Sequence, residues 1–232
     1  MSFGAPHRHF RLTDSTNTRA RELIEAGAPS GTVVTADAQT AGRGRRGRVW
    51  TAPEGKALLY SAVLRPLDER HLLLPLAVPL AICEAAEQLR DGVECAVKWP
   101  NDVWLEGRKL AGVLIEARPQ DGWAVIGIGL NLSIEPDEFP AELRQPAISL
   151  GGGVTPEQAR PALDDALGHW AEAGPEAVLA AWRARDALRG REISWEGGSG
   201  VADGIEDSGD LVVVAAGGER VVLGAGEVSI RL

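Results

Sequence analysis

Residues 95–132 read CAVKWPNDVWLEGRKLAGVLIEARPQDGWAVIGIGLNL, and this stretch decides the fold class. Short apolar runs (Cys95–Lys98, Val103–Leu105, Leu110–Glu116 and Trp123–Leu132) alternate with Pro100-Asn101-Asp102, Glu106-Gly107-Arg108 and Gln120-Asp121-Gly122. Runs too short for helices, separated by turn-forming residues, predict strands joined as meandering hairpins. Upstream, Thr32–Ala36 and Leu58–Leu64 predict two more strands. Asp14-Ser15-Thr16-Asn17 is a dense N-cap signal, with Ala20, Leu23 and Ile24 at helical spacing and Gly27 as the stop. Leu72–Leu89 predicts a second helix; Pro156–Ala173 and Pro175–Leu188 predict two more, each with proline in the first turn. The reading is therefore α+β, a β-sheet packed with helices.

Beyond Leu188 the composition changes. Glycines separate five short β runs: Glu192–Trp195, Val201–Ile205, Leu211–Ala215, Arg220–Leu223 and Val228–Arg231. That spacing predicts a small SH3-like β-barrel. Two domains are expected, residues 1–188 and 189–232, which suits a chain of 232 residues.

Net charge is −9, so the surface as a whole repels nucleic acid and anionic membrane. The most apolar run, Leu72–Ile82, is too short to span a bilayer, and the N-terminus has no secretory apolar region. A cytoplasmic protein with no membrane or nucleic-acid partner is expected. Cys83 and Cys95 have neither metal spacing nor a disulfide framework, and sit among apolar neighbours as core residues do. His7, His9, His71 and His169 show no metal or triad spacing.

Against this acidic background, Gly42-Arg43-Gly44-Arg45-Arg46-Gly47-Arg48 gathers four cations in seven residues. Glycine lets backbone N–H groups approach a ligand, and guanidinium forks bind phosphate oxygens in pairs. Crowded like charges predict a loop that orders only around an anion. The GxxxxGK[ST] order of a P-loop is absent. A solvated basic loop is the bland alternative. Lys98-Trp99-Pro100-Asn101-Asp102 sets a lysine, an amide and a carboxylate within five residues, a set suited to phosphate and Mg²⁺, though Asn-Asp after proline also makes ordinary turns. Lysine occurs only at 56, 98 and 109, so Lys98 and Lys109 stand out in an arginine-rich chain. In Gly127-Ile128-Gly129-Leu130-Asn131, glycines alternate along a strand, which marks close approach by a ligand or another backbone.

Ser15-Thr16-Asn17, Gln39 through Trp50, Lys98 through Asp102, Lys109-Leu110-Ala111-Gly112 and Gly127 through Asn131 occur in the order seen in biotin–protein ligases. From Thr13 to Asn131 the chain closely resembles that family, and more loosely in the C-terminal β region. The resemblance implies a catalytic fold like that of class II aminoacyl-tRNA synthetases. It implies a two-step reaction, in which biotin and ATP give biotinyl-5′-AMP and biotin then passes to a lysine of a carboxylase's biotin carrier domain. By match, biotin would contact Ser15, Thr16, Asn17, Gln39, Arg43, Gly44, Arg45, Lys109 and Gly112. ATP would contact Arg45, Arg48, Trp50, Lys98, Gly129 and Asn131, with Gly127 also admitting the ligand. Arg45, Lys109, Lys98 and Asp102 would carry the chemistry, with Asp102 toward Mg²⁺. ATP and Mg²⁺ would arrive as a substrate complex, with no tightly bound cofactor.

The family's bifunctional members carry an N-terminal DNA-binding domain; fourteen residues before Ser15 leave no room for one, so the chain resembles the monofunctional class. The Ile134–Ile148 segment matches only loosely. The ending Gly226–Arg231 is similar to the family's, and Arg231 is expected toward ATP or the carrier. A monomer or weak homodimer is expected. Two alternatives remain: a lipoate–protein ligase of related fold, disfavoured by the full Arg-Gly loop and KWPND, and a nucleic-acid-binding module, disfavoured by charge and by few aromatic residues.

Overall fold

A computed structural model describes residues 1–143, 145–224 and 228–230. Seven strands form the main sheet: β1 (His7–Thr13), β2 (Val33–Gln39), β3 (Ala57–Leu64), β4 (Cys95–Lys98), β5 (Asp102–Leu105), β6 (Arg108–Arg118) and β7 (Trp123–Asn131). Their order is β1-β2-β3-β7-β6-β5-β4. The sheet is mixed. β1 runs parallel to β2, and the other neighbours are antiparallel. Helix α1 (Thr16–Glu25) makes the crossover between the parallel pair, followed by α2 (Leu74–Leu89), α3 (Pro156–Glu172) and α4 (Pro175–Ala184).

β1 is absent from the sequence reading. Its HRHFRLT pattern is almost wholly exposed, and an edge strand paired on one side has no buried face to write an apolar alternation. β3 shows the opposite case. All eight of its residues are buried, because helices or loops cover both faces of the central strand.

The two faces differ in what fills them. Leu58, Tyr60, Ala62 and Leu64 of β3, with Ile126, Ile128 and Leu130 of β7, point into the large core formed with α2, α3 and α4. On the other face, Ala20 and Ile24 of α1 pack on Val34, Val63 and Val125. Beyond the N-terminus of α1 that second face carries Gly127 and Gly129 of β7 beside Gly112 and Leu114 of β6, paired Gly112↔Gly129 and Leu114↔Gly127. Side-chain bulk is withheld there.

Helix caps follow the sequence signals in part. Thr155 makes a reciprocal capping box with Gln158 at α3. Ser15 is the N-cap of α1, but its hydroxyl makes no cap hydrogen bond. The Asp14 carboxylate accepts the Ser15 N–H at 2.6 Å instead. α3 is fixed to β3 by the buried Tyr60 hydroxyl, which donates to Asp164 at 2.8 Å. Burial and the neighbouring carboxylate push the Tyr60 phenol well above its usual range; burial also raises Asp164, against its hydrogen bonds to Tyr60 and Arg160. Cys83 and Cys95 are buried in the same core, as expected.

Five further strands, β8 (Glu192–Trp195), β9 (Gly198–Ile205), β10 (Leu211–Ala215), β11 (Arg220–Leu223) and β12 (Val228–Ile230), make a second sheet ordered β11-β10-β9-β8-β12. Its Ile193, Ala202, Leu211, Val213 and Val228 join the α2 core rather than forming a separate one. Trp99, in the β4–β5 turn, donates its indole N–H to Gly209 O at 3.1 Å, and Arg183 of α4 donates to Ile205 O at 3.2 Å, tying the second sheet to that turn and that helix. Among the described residues, no helix is long and apolar enough to cross a membrane. Gly226, Glu227 and Arg231 lie outside the described residues.

Candidate active site

A cleft of about 320 Å³ opens over the glycine-bearing face. Gly112, Gly127 and Gly129 form its floor, and each position has a steric reason. A Cβ on Gly127 would stand 2.2 Å from Asn17 Oδ1, and one on Gly129 would stand 2.3 Å from Trp50 Cε2. At Gly112 it would meet Trp50 and Lys109 at 3.0–3.2 Å. The close approach read from the sequence is therefore made within the protein by side chains, with Trp50 laid against the floor.

One end of the cleft is a hydrogen-bonded polar cluster at the α1 N-terminus. Gln39 Oε1 accepts the Thr16 backbone N–H at 2.7 Å. Because that N–H can only donate, the Gln39 amide must present its NH₂ group on the other side. Ser61 Oγ, from β3, donates to Asn17 Oδ1 at 2.6 Å and lies 2.8 Å from Thr16 Oγ1. Asn17 Nδ2 donates to Glu116 Oε2 at 2.9 Å. Neither Ser61 nor Glu116 was singled out from the sequence. Strand parity held the signal for Glu116, which shares the sheet face of Leu114 and Gly112, two and four residues before it.

The arginine loop forms the roof. It is a small hairpin rather than the unordered loop expected from its charge. Arg43 and Val49 bridge, Gly44 N–H donates to Arg48 O at 2.8 Å, and Trp50 N–H donates to Gly42 O at 3.0 Å. The cations are spread among partners, which relieves their repulsion. Arg43 pairs with Glu116 at 3.3 Å, Arg45 donates to Asn101 Oδ1 at 3.2 Å, and Arg46 faces Glu196 at 3.9 Å. Arg46 takes the left-handed backbone conformation at the hairpin tip, with φ 56°.

At the far end, Lys109 Nζ pairs with Asp102 Oδ1 at 2.7 Å and stands 5.5 Å from the Trp50 ring centroid. Its backbone is anchored on both sides, to Pro146 O and from Ile148 N–H. Asn131 Nδ2 donates to Ile148 O at 3.1 Å, which turns its Oδ1 to act as acceptor. The segment whose sequence match was loose closes this end: Phe139, Pro140, Glu142, Leu143, Gln145 and Ala147 line the cleft. Arg144 lies outside the described residues.

Of the residues expected at the site, Ser15, Thr16, Asn17, Gln39, Arg43, Gly44, Arg45, Arg48, Trp50, Lys109, Gly112, Gly129 and Asn131 line this one cleft. Lys98 and Asp102 do not. Lys98 is only 3% exposed, and its Nζ donates to Val228 O at 3.0 Å in the second sheet. Asp102 is reached through Lys109. Its carboxylate is nearly buried and paired to that lysine, and the described residues include no group of three metal-ligating side chains. Among the described residues, four buried donors find no acceptor, and two of them, Arg43 Nε and Trp50 Nε1, belong to cleft residues. The other two, Trp104 Nε1 and Trp182 Nε1, lie away from the cleft; at Arg43 and Trp50 a ligand in the cleft could supply an acceptor.

The arrangement defines a site for a polar-headed ligand ending in anionic groups: amide and hydroxyl functions at one end, a glycine floor, and guanidinium and ammonium groups around the other. Residues 9–133 match the biotin/lipoate A/B protein ligase family, and the chain belongs to that family. The chain is 35% identical over 234 residues to the biotin–[acetyl-CoA-carboxylase] ligase of Paracoccus denitrificans, covering 90% of this chain and 95% of that protein. It is 41% identical over 148 residues to the bifunctional ligase/repressor BirA of Bacillus subtilis, covering 60% of this chain and 44% of that protein. It therefore spans less than half the length of this bifunctional relative. Among solved structures, a biotin protein ligase from Aquifex aeolicus in complex with biotin and ATP superposes with a TM-score of 0.84 at 28% identity, covering 98% of this chain and 99% of that one.

Proposed function

We propose that the chain is an ATP-dependent biotin–protein ligase, activating biotin as biotinyl-5′-AMP and transferring it to a lysine of a carboxylase's biotin carrier domain. The observation that carries this reading is the single cleft that gathers five separated sequence motifs around a glycine floor. Its polar end suits a ureido ring, which offers one carbonyl and two N–H groups: Gln39 presents NH₂ donors, while Ser15 and Thr16 offer hydroxyls. Lys109, Arg45 and Arg48 suit a carboxylate meeting an α-phosphate, and the Asn131 acceptor suits an adenine amino group. Trp50, already flat on the floor, would cover the nucleotide. Support comes also from the Aquifex relative bound to biotin and ATP and from a Leishmania major biotin protein ligase with biotinyl-5-AMP, at 25% identity and TM-score 0.68.

The first step needs no base, since a carboxylate is ionised at neutral pH. Its oxygen attacks the α-phosphorus, the bond to the bridging oxygen of pyrophosphate breaks, and the negative charge passes to that leaving group. The barrier lies in bringing two anions together, and fixed cations in the cleft would lower it. Mg²⁺ would enter with the triphosphate as part of the substrate; among the described residues no group of three metal-ligating side chains is present. In the second step the acceptor amine attacks the acyl carbon and AMP leaves. Asp102 supports Lys109 and stands too committed to it to serve as the base for that amine. Lys98 would act by anchoring the second sheet, which we read as an SH3-like domain spanning residues 189–232 beside a catalytic domain spanning 1–188. We read the enzyme as cytoplasmic, where it would meet ATP and its carrier substrate.

ATP–pyrophosphate exchange tests the reading. Exchange that depends on biotin supports it; exchange that depends on lipoate, or none with either acid, overturns it.

A further inference from the structure

Glu116 stands on the glycine-bearing face without lining the cleft, yet its carboxylate contacts two residues that do. A single oxygen, Oε2, accepts from Asn17 Nδ2 at 2.9 Å and from Arg43 Nη2 at 3.3 Å. Arg43 Nη2 also lies 3.3 Å from Thr18 Oγ1. These contacts tie three elements together: α1 through Asn17 and Thr18, β6 through Glu116, and the roof hairpin through Arg43. A carboxylate only accepts, so Glu116 also fixes which way the Asn17 amide faces, and Asn17 Oδ1 is thereby turned to receive Ser61.

We propose that Glu116 is a positioning residue, holding Arg43 and Asn17 at the polar end of the cleft and latching the roof hairpin shut at its N-terminal leg. Arg43 has no other carboxylate partner among the described residues. Its Nη2 is held from behind, which aims the guanidinium and leaves the buried Nε to meet an acceptor on the ligand. Elsewhere the hairpin is held by Arg45, which donates to Asn101 Oδ1 at 3.2 Å, and by Arg46, which faces Glu196 at 3.9 Å.

The inference rests on the acid-activating reading for its kinetic arm, but not for its structural arm. In ligand-free protein, trypsin reports access to the four arginines of the hairpin. Glu116→Gln should speed cleavage between residues 43 and 49 about fivefold or more, with the melting temperature unchanged, because the latch contributes little to the global fold. In exchange assays Glu116→Gln should raise the KM for biotin about tenfold and change kcat by less than about twofold, since it loosens binding rather than chemistry. In an Arg43→Ala background the same substitution should add little, because the two act as one unit. Unchanged tryptic cleavage, or full additivity with Arg43→Ala, would overturn the proposal. If the wild-type protein showed no biotin-dependent exchange, the functional reading would fall and the cleavage arm alone would decide the role of Glu116.

Discussion

The two faces of the seven-stranded sheet are written by alternate residues of the same strands and do opposite work. Toward α2, α3 and α4, β7 contributes Ile126, Ile128 and Leu130, all buried in the main core. Toward the cleft, the intervening positions are Gly127 and Gly129. One face gains stability by filling space. The other gains a site by withholding side chains from the strands, so that Asn17 and Trp50 lie against bare backbone, and by lining the cleft with polar groups and cations. The lesson is that the site borrows its rigidity from the opposite face: the floor stays flat because its strands are clamped from behind.

The comparison can be broken in four ways. Trp182, fully buried on α4, belongs to the filled face. Trp182→Ala should cost roughly 3–5 kcal/mol in urea unfolding, while protein that remains folded keeps its biotin affinity. Lys109→Ala does the reverse. It should lower the rate of pyrophosphate exchange about 10²–10³-fold with a small change in stability, because it removes a fixed cation where charge develops. A stability loss rivalling that of Trp182→Ala would show that the Lys109–Asp102 pair is structural.

Gly129→Val tests the vacancy itself. The added branch would displace the Trp50 ring, so nucleotide affinity should fall about tenfold or more with less loss of stability than a core truncation brings. Titration calorimetry with ATP in the presence of biotin would read it; unaltered affinity would mean the floor need not be bare. The smallest effect is expected for Tyr60→Phe. Removing the hydroxyl leaves Asp164 with Arg160 alone, so stability should fall by about 1 kcal/mol with exchange kinetics unchanged. A shift in KM would show that the two faces are coupled through β3.

The filled face was largely legible in the sequence. The β3 and β7 runs and the α3 and α4 starts are apolar or capped in patterns that one period explains, and tertiary packing follows those patterns. The cleft was legible in its motifs, because glycine, arginine and lysine are conspicuous in apolar strands and in a chain poor in lysine. Other features were not. β1 carries no apolar alternation, since only one of its edges is paired. Glu116 reads as a polar residue near a strand end until the register places it on the glycine face beneath the roof. Lys98 looks like a phosphate ligand in KWPND, yet the partner its side chain reaches, Val228, is 130 residues away. Partners that distant leave no local signature. The same holds for the hairpin, whose charge predicts an open loop only if Glu116, Asn101 and Glu196 are left out of account.

The central claim is that this cleft forms and keeps biotinyl-adenylate, and it can be measured by incubating the protein with ATP and labelled biotin, then passing it through gel filtration. The account predicts about one labelled biotinyl-5′-AMP co-eluting per chain, and its rapid loss from the Arg45→Gly variant as the roof loses its grip. Protein that elutes without adenylate after turning over neither substrate, or an Arg45→Gly variant that holds it as wild type does, would contradict the account.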